Sequence, residues 1–408
     1  MERKENRASF LVGCAGRCHL GNSRNGICID QGWFLVRRRR AQGIVRRGEP
    51  DYILFFTVLT LVALGIIMVF SASMVKSLRF YGNPYHYLIR QSMWAALGLS
   101  GMFFLMNYDC WRYRNLIPYV YALSLVLLVL VLIPGVGQMR DGARRWLGIG
   151  SLGFQPAEVA KFTTILFLAD MLARTKDKIR HFFKGLGPYL LALGITFGLI
   201  LKEPDLGTAV TLAGAAVVVL YISGANFFHL AFLGLASLPV LYHVIISEDY
   251  RRKRFLAFLD PWKDPTGSGW QIIQALYALG TGGLFGTGVG YSRQKWSYLP
   301  QPDTDFIFAV IGEELGFFGT ALVLLLFFTF AWRGYRTAMA APDRYSCLLA
   351  AGFTTIISLQ AVVNIGVATG SLPITGITLP FVSYGGSSLL MSLLSAGVLL
   401  NISRYANR

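Results

Sequence analysis

The residues best suited to chemistry lie in one short stretch, residues 294–308, which reads QKWSYLPQPDTDFIF. Lys295, Asp303 and Asp305 stand there among aromatic residues, and an apolar run that can cross a bilayer follows directly. Asp305 is therefore placed where a membrane helix begins, wet on one side and shielded on the other. Such a carboxylate can serve as a general base on a lipid-linked substrate. A plain helix N-cap is the alternative role.

The elements that position this stretch are membrane helices, as the composition indicates. Of the 408 residues, 54% are hydrophobic and only 14% are charged, and the mean hydropathy is +0.51. Soluble proteins carry about a quarter charged residues, so the composition predicts an all-α polytopic membrane protein.

Ten apolar windows are long enough to span a bilayer as helices. They cover residues 52–73, 86–106, 116–135, 156–173, 187–201, 206–223, 226–246, 305–332, 346–368 and 383–402. Gly, Pro and charged residues interrupt the fourth to sixth windows, where a short or half-buried helix is the alternative.

The distribution of Lys and Arg sets the orientation of these helices. With both termini in the cytoplasm, most basic residues fall on the inner side, among them Arg37–Arg40, Arg112 and Arg333. Residues 247–304, between the seventh and eighth spans, then form a large extracytoplasmic loop. This loop is also basic, but its length exempts it from much of the rule. The net charge of +17 is too dispersed for a nucleic-acid face, so no nucleic-acid partner is expected.

The first fifty residues differ from the rest of the chain. We expect residues 1–50 to be a basic, disordered cytoplasmic tail and residues 51–408 to form the integral membrane domain. No cleavage site of small residues accompanies the first apolar window, so no cleaved signal peptide is expected. All five cysteines fall on or near the inner side, which predicts free thiols. They are Cys14, Cys18, Cys28, Cys110 and Cys347. A metal site in the tail is the alternative, although the cysteine spacing matches no zinc pattern well.

Ionisable residues gather near the predicted outer boundary, where they would line a cavity in the outer leaflet. The set comprises Arg144, Arg145, Glu158, Lys161, Lys202, Glu203, Asp205, Asp305, Glu313 and Glu314. Arg144 and Arg145, next to Trp146, suit a diphosphate group at headgroup level, with lipid anchoring as the alternative. Glu158 and Lys161 are three residues apart on one helix face and can simply pair with each other.

Other polar residues of the outer side suit contacts with sugar or phosphate. Asp205 can bind sugar hydroxyls or a cation, with a helix cap as the structural alternative. Gln271 and Gln274, near several Trp residues, fit sugar recognition, while membrane-interface anchoring explains the Trp residues equally well. Ser383 and Ser387, at the start of the last span, can receive an anion or serve packing alone.

Two acids lie deeper, about 12 Å along the helix axis from Asp305. Glu313 and Glu314 require partners inside the bilayer, and we expect Lys161 or an arginine of the 144–145 pair to provide them.

Taken together and in order, these motifs resemble the SEDS family of membrane glycosyltransferases (FtsW, RodA and SpoVE), and most closely its division and sporulation branch. The matching stretches are Gly142–Trp146, Gln155–Lys161, Glu203–Thr208, Asp264–Gln274, Leu299–Gly316 and Pro380–Ser388. The family usually has Glu, and often His or Gln, before its Thr-Asp-Phe-Ile-Phe core, whereas this chain has Gln301 and Asp303.

The resemblance implies polymerisation of lipid II into glycan strands on the outer face of the bacterial cytoplasmic membrane. Asp305 would be the general base, and Arg144, Arg145, Lys161 and Lys295 would stabilise the departing undecaprenyl diphosphate. A class B penicillin-binding transpeptidase and other division or sporulation membrane proteins would be its partners. No cofactor is evident, and a Mg²⁺ or Mn²⁺ ion is left open. A lipid II flippase and a non-catalytic division scaffold are the alternatives.

Overall fold

The structure, a computed structural model, describes residues 47–140, 143–149, 152–175, 179, 185–296 and 298–406. Nearly all of the predicted tail lies outside these residues, as do Cys14, Cys18 and Cys28. Cys110 and Cys347 are free thiols.

Helices dominate the described part of the chain, with three short strands between the third and fourth helices. In chain order the elements are α1 (Tyr52–Tyr81), α2 (His86–Asn107), α3 (Ile117–Leu132), β1 (Gln138–Arg140), β2 (Ala143–Ile149), β3 (Leu152–Phe154), α4 (Pro156–Arg174), α5 (Gly187–Lys202), α6 (Leu206–Ile222), α7 (Phe227–Ile246), α8 (Asp249–Leu259), α9 (Trp270–Thr281), α10 (Ile307–Met339), α11 (Arg344–Ala368) and α12 (Gly386–Ser403). Two short 3₁₀ helices, Arg114–Leu116 and Pro261–Lys263, join them.

A helix lies at each of the ten predicted spans. Six of these helices have the length and apolar composition needed to cross a membrane, namely α1, α3 with its preceding 3₁₀ turn, α7, α10, α11 and α12. α5 and α6 are apolar but shorter. The fold is therefore mostly helical with six candidate membrane spans, and ten crossings remain a prediction.

Two segments depart from the expected pattern of spans and loops. The 247–304 segment is not one open loop, because it contains α8 and α9. Residues 138–154 form a three-stranded antiparallel sheet in the order β1-β2-β3. Strands of three to seven residues are too short for a search based on windows of span length to find.

α10 is broken at Gly316, which has φ 67° and ψ −160°. Segment 283–288 replaces the missing helical hydrogen bonds. Its Thr287 N–H donates to the Glu313 carbonyl at 2.9 Å, and its Gly283 carbonyl accepts from Phe317 N–H at 2.9 Å. Non-helical backbone within a membrane helix is tolerated where other protein groups satisfy it in this way. The break separates a short first part of α10, residues 307–315 next to Asp305, from the rest of the helix.

One end of the helix bundle holds both termini of the described chain, and we call it the terminal end. Gly48 N–H donates to the Arg404 carbonyl at 2.9 Å. Asp51 caps α1 and forms an ion pair with Arg333 near the end of α10. The residues considered next cluster at the opposite ends of α1 and α10, which we call the site end.

Candidate functional site

Asp305 lies in the turn just before α10 and does not cap that helix. The helix begins at Ile307, and Phe306 occupies the N-cap position without a side-chain cap bond. Gly376 lies beside the carboxylate, since a Cβ built on that glycine would lie 3.8 Å from Asp305 Oδ2. The cap role is therefore excluded, and the backbone next to the carboxylate carries no side chain.

Side chains of α11 and of the segment before α12 hold the turn that carries Asp305. Asn364 Nδ2 on α11 donates to the Asp305 carbonyl at 2.9 Å. Ser383 Oγ donates to the Thr304 carbonyl at 2.6 Å. Ser383 is buried and fixes the backbone next to the candidate base, and its contact with substrate stays a prediction.

The environment of Asp305 raises its pKa to about 6. Desolvation by the surrounding protein is the main cause, and the neighbouring charge of Asp303 also raises it, while Arg254 and Arg145 oppose the shift. The side chain keeps partial solvent access, and its carboxylate has no ion-pair partner among the described residues. A partly exposed acid with a pKa near working pH has the properties of a general base.

The positive charges of two arginines act on this carboxylate. Arg145 on β2 donates from Nε to the Glu203 carbonyl at 3.0 Å and from a terminal nitrogen to the Pro204 carbonyl. Arg254 on α8 lies over the Tyr250 ring at 4.2 Å. Burial lowers the pKa of Arg254, and the like charge of Arg145 adds to this effect. Two guanidiniums that repel each other beside a candidate base favour an anionic ligand.

Arg254 was not among the predicted site residues. Its signal in the sequence is the basic run 251–254 in the outer segment, where an excess of positive charge has no topological explanation. The position of α8, which places one member of that run beside Asp305, follows only from the fold.

β2 is irregular at Arg145. Met139 of β1 pairs with Arg144 and Gln138 pairs with Trp146, so Arg145 is the extra residue of a β-bulge. Arg144 and Trp146 are both partly buried. Of the predicted arginine pair, Arg145 is the member whose charge acts on Asp305.

The turn between α5 and α6 contains two acids with contrasting roles. Asp205 caps α6 by accepting from Thr208 N–H at 3.1 Å, and it also accepts from Gln155 Nε2 at 3.0 Å. Its structural alternative is confirmed. Glu203 is fully buried, and neither carboxylate oxygen has a hydrogen-bond partner among the described residues. Desolvation, reinforced by the charge of Asp205, raises the pKa of Glu203 to about 9 against the opposing effect of Arg145.

Glu158 and Lys161 pair with each other, which confirms the structural alternative. Lys161 Nζ lies 2.8 Å from Glu158 Oε1, and both side chains are buried. Lys161 also donates to Gln360 Oε1 at 2.8 Å, and Gln360 in turn donates to the Thr378 carbonyl at 3.0 Å. This network ties α4 to α11 and to the segment before α12.

Lys295 belongs to a second buried network of polar side chains. Its Nζ lies 3.1 Å from Glu314 Oε1 on α10 and 3.2 Å from Ser71 Oγ on α1. Ser71 Oγ donates to Glu314 at 2.6 Å. The positive charge of Lys295 is thus neutralised within the protein.

The expected partners of the two deeper acids were wrong. Glu313 accepts from Ser292 Oγ at 2.5 Å and from Arg293 N–H at 2.8 Å, and Glu314 pairs with Lys295. Neither acid is paired with Lys161 or with the 144–145 arginines. The reason is the break in α10, against which the preceding loop folds, so that donors of this loop lie nearest.

The remaining predicted residues lie on helices around the site. Gln271 and Gln274 are on the first turns of α9, the former partly exposed and the latter buried. Ser387, on the first turn of α12, is also buried. Their contact with substrate stays a prediction. Among the described residues, no group of three or more His, Cys, Asp or Glu side chains could hold a metal ion.

A family model described as "Cell cycle protein", for FtsW, RodA and SpoVE, matches residues 51–408. The chain belongs to the FtsW/RodA/SpoVE family. It is 47% identical to "Stage V sporulation protein E" of Bacillus subtilis (strain 168) over 364 residues, which cover 88% of this chain and 99% of that protein. It is 43% identical to "Probable peptidoglycan glycosyltransferase FtsW" of Trichlorobacter lovleyi over 360 residues, or 88% of this chain and 94% of that protein.

Solved structures share the fold of this chain. One chain, from a structure described as "Structural coordination of polymerization and crosslinking by a peptidoglycan synthase complex", superposes with a TM-score of 0.71 at 35% identity, covering 87% of this chain and 98% of that one. The Thermus thermophilus rod shape determining protein RodA superposes with a TM-score of 0.65 at 33% identity, covering 88% and 98%. With its candidate spans, this FtsW/RodA/SpoVE protein is a multi-pass membrane protein.

Proposed function

We propose that this protein is a peptidoglycan glycosyltransferase that polymerises lipid II into glycan strands, with Asp305 as its general base. The observation that carries the proposal is the environment of Asp305, a partly exposed residue whose carboxyl pKa is raised to about 6 while the charges of two arginines oppose the shift. Relatives over 40% identical across most of the chain bear the name peptidoglycan glycosyltransferase, which supports the reaction class.

In the proposed reaction, Asp305 takes the proton from the 4-hydroxyl of the acceptor sugar. The hydroxyl oxygen attacks the anomeric carbon of the donor, the bond from that carbon to the diphosphate oxygen breaks, and its electron pair leaves with undecaprenyl diphosphate. Attack opposite the leaving group inverts the anomeric centre. A diphosphate needs cations rather than a protonating acid, so one carboxylate suffices where glycoside hydrolases use two.

Arg145 and Arg254 are the proposed cations for the leaving diphosphate. Lys161 and Lys295 are set aside, because Glu158 and Glu314 already neutralise them in buried pairs. The proposal assigns no step to a metal ion.

We place the reaction on the extracytoplasmic face of the cytoplasmic membrane, in cell division or sporulation. The orientation derived from Lys and Arg residues puts the site end on that face. A class B penicillin-binding transpeptidase is the proposed partner, and the synthase complex that combines polymerisation with crosslinking supports this pairing.

The test is polymerisation of purified lipid II by the purified protein, alone and with the transpeptidase, comparing wild type with Asp305→Asn. We expect a glycan ladder from wild type and none from a folded Asp305→Asn protein. A ladder that survives the substitution would remove Asp305 from the mechanism. If no preparation of wild type forms a ladder, the proposal fails, and flipping of lipid II in vesicles becomes the assay to run.

A further inference from the structure

A partly buried ion pair joins α1 to the turn that carries the candidate base. Lys76 Nζ, near the end of α1, lies 3.1 Å from Asp303 Oδ1 and 3.4 Å from Oδ2. Asp303 is fully buried, whereas the Lys76 side chain keeps 30% of its exposure. Asp303 is two residues before Asp305, and the two partners are 227 residues apart in sequence.

Asp303 requires this partner because a buried carboxylate is destabilising when unpaired. The described residues provide Lys76 as its one ion-pair partner. Lys76 also lies over the ring of Tyr87 on α2, at 5.4 Å. The lysine is therefore held from two sides, with its ammonium directed at the acid.

The charge on Asp303 also acts on the base. It is one of the groups that raise the pKa of Asp305, after desolvation and against Arg254 and Arg145. The charged groups that act on Asp305 are thus Arg254, Arg145 and Asp303, and the groups near Asp303 are the charged Lys76 and the uncharged Tyr87 hydroxyl. Lys76 is the group that balances the acid closest in sequence to the base.

α1 holds the same region at a second point. Ser71, five residues before Lys76, donates to Glu314 at 2.6 Å and contacts Lys295. From the other side, Tyr384 N–H donates to the Asp303 carbonyl at 2.8 Å. α1 and the segment before α12 thus clamp the turn on both sides, and Lys76 supplies the charge in this clamp.

We propose that Lys76 is a positioning residue for glycosyl transfer, which acts through Asp303 to fix the carboxylate of Asp305 and to limit the negative charge beside it. This inference rests on the proposed function. Lys76 itself need not touch the substrate.

The test uses Lys76→Met and Lys76→Arg, each with lipid II as substrate, and measures kcat/KM against pH together with the melting temperature. Lys76→Met removes the positive charge that balances Asp303, so the acid limb should move up by about one pH unit, equivalent to about tenfold in activity on that limb. Lys76→Arg keeps the charge and should keep the wild-type limb. Arg79→Met, an exposed residue one turn further on α1, is the matched control and should behave as wild type.

The same substitution in an Asp303→Asn protein distinguishes a positioning role of Lys76 from direct contact with substrate. In Asp303→Asn, the substitution Lys76→Met should change kcat/KM less than about twofold, because the group through which it acts is gone. An equal loss in both backgrounds would overturn the inference and indicate direct contact with substrate. An unmoved acid limb in Lys76→Met, or a uniform loss at every pH with a lower melting temperature, would also overturn it. If Asp303→Asn is inactive, the limbs of Lys76→Met and Lys76→Arg decide alone. A wild-type protein that forms no glycan would refute the proposed function, and the inference with it.

Discussion

The two ends of the helix bundle differ in whether their acidic side chains have partners. At the terminal end, buried acids are fully paired: Asp51 with Arg333, and Asp170 with Arg114 and Arg174. At the site end, Asp305 has no ion-pair partner among the described residues, and neither oxygen of Glu203 is hydrogen-bonded there. Both ends are rich in charge, so composition alone does not distinguish them.

This contrast indicates which end of the bundle can bind and convert a substrate. A closed network of ion pairs holds helices together and leaves no charge for a ligand. Buried acids without a partner are destabilising and persist where function requires them. The site end also contains closed pairs, Glu158–Lys161 and Lys295–Glu314, which are like those of the terminal end and lie around the unpaired acids.

The contrast between the two ends is tested most strongly by neutralising one acid at each end. Asp305→Asn should lower kcat/KM for lipid II polymerisation by about 10²–10⁴-fold, the usual contribution of a general base, with little change in melting temperature. Asp51→Asn should instead destabilise the protein by about 3 kcal/mol, since it leaves the Arg333 guanidinium without its partner. Its activity per folded molecule should stay near wild type. Equal effects of the two substitutions on kcat/KM would contradict the contrast.

The next largest effect is expected at Arg254. Arg254→Gln should lower kcat/KM by about 10²-fold, comparable to the loss of one donor to a developing oxyanion. Because Arg254 lowers the pKa of Asp305, its removal should also move the acid limb of the pH profile to higher pH. Lys253→Gln, an exposed neighbour on α8, is the control and should change neither quantity. An unchanged kcat/KM in Arg254→Gln would remove this residue from the site.

Glu203 gives the smallest expected effect, on stability rather than on rate. Its folded-state pKa of about 9 lies above the usual carboxyl value of 4.5. The folded state thus binds the proton more tightly, and its stability should fall as pH rises from 4.5 towards 9. Glu203→Gln removes this loss, so at about pH 8 the variant should melt a few degrees above wild type. Parallel melting curves across that pH range would contradict the prediction.

The sequence predicted elements whose signals are local. Hydropathy over a span-length window placed a helix at all ten positions, because a helix in lipid satisfies its own backbone and must be apolar along its whole length. The short strands around Arg145 and the break at Gly316 have no such signal. Gly316 can be recognised only when the 283–288 segment that replaces its hydrogen bonds is in place.

The site was predicted in its residue types but not in its pairings. Asp305 and Arg145 stand out in sequence because charges at a membrane boundary are few. The α1 partners of Glu314 and Asp303 could not be recognised in the sequence. Ser71 and Lys76 are more than two hundred residues away from these acids and contact them only because of the way α1 packs. Arg254 could not be distinguished from its basic neighbours in the sequence, because only the position of α8 shows which of them acts on Asp305.

The central claim, that Asp305 is a general base set by its surroundings, is tested most directly by the pH dependence of wild-type kcat/KM with lipid II. The account predicts an acid limb in which activity rises with pH around a midpoint of about 6, because the base must be unprotonated. A profile that is flat from about pH 5 to 8, in a protein that remains folded throughout, would contradict it.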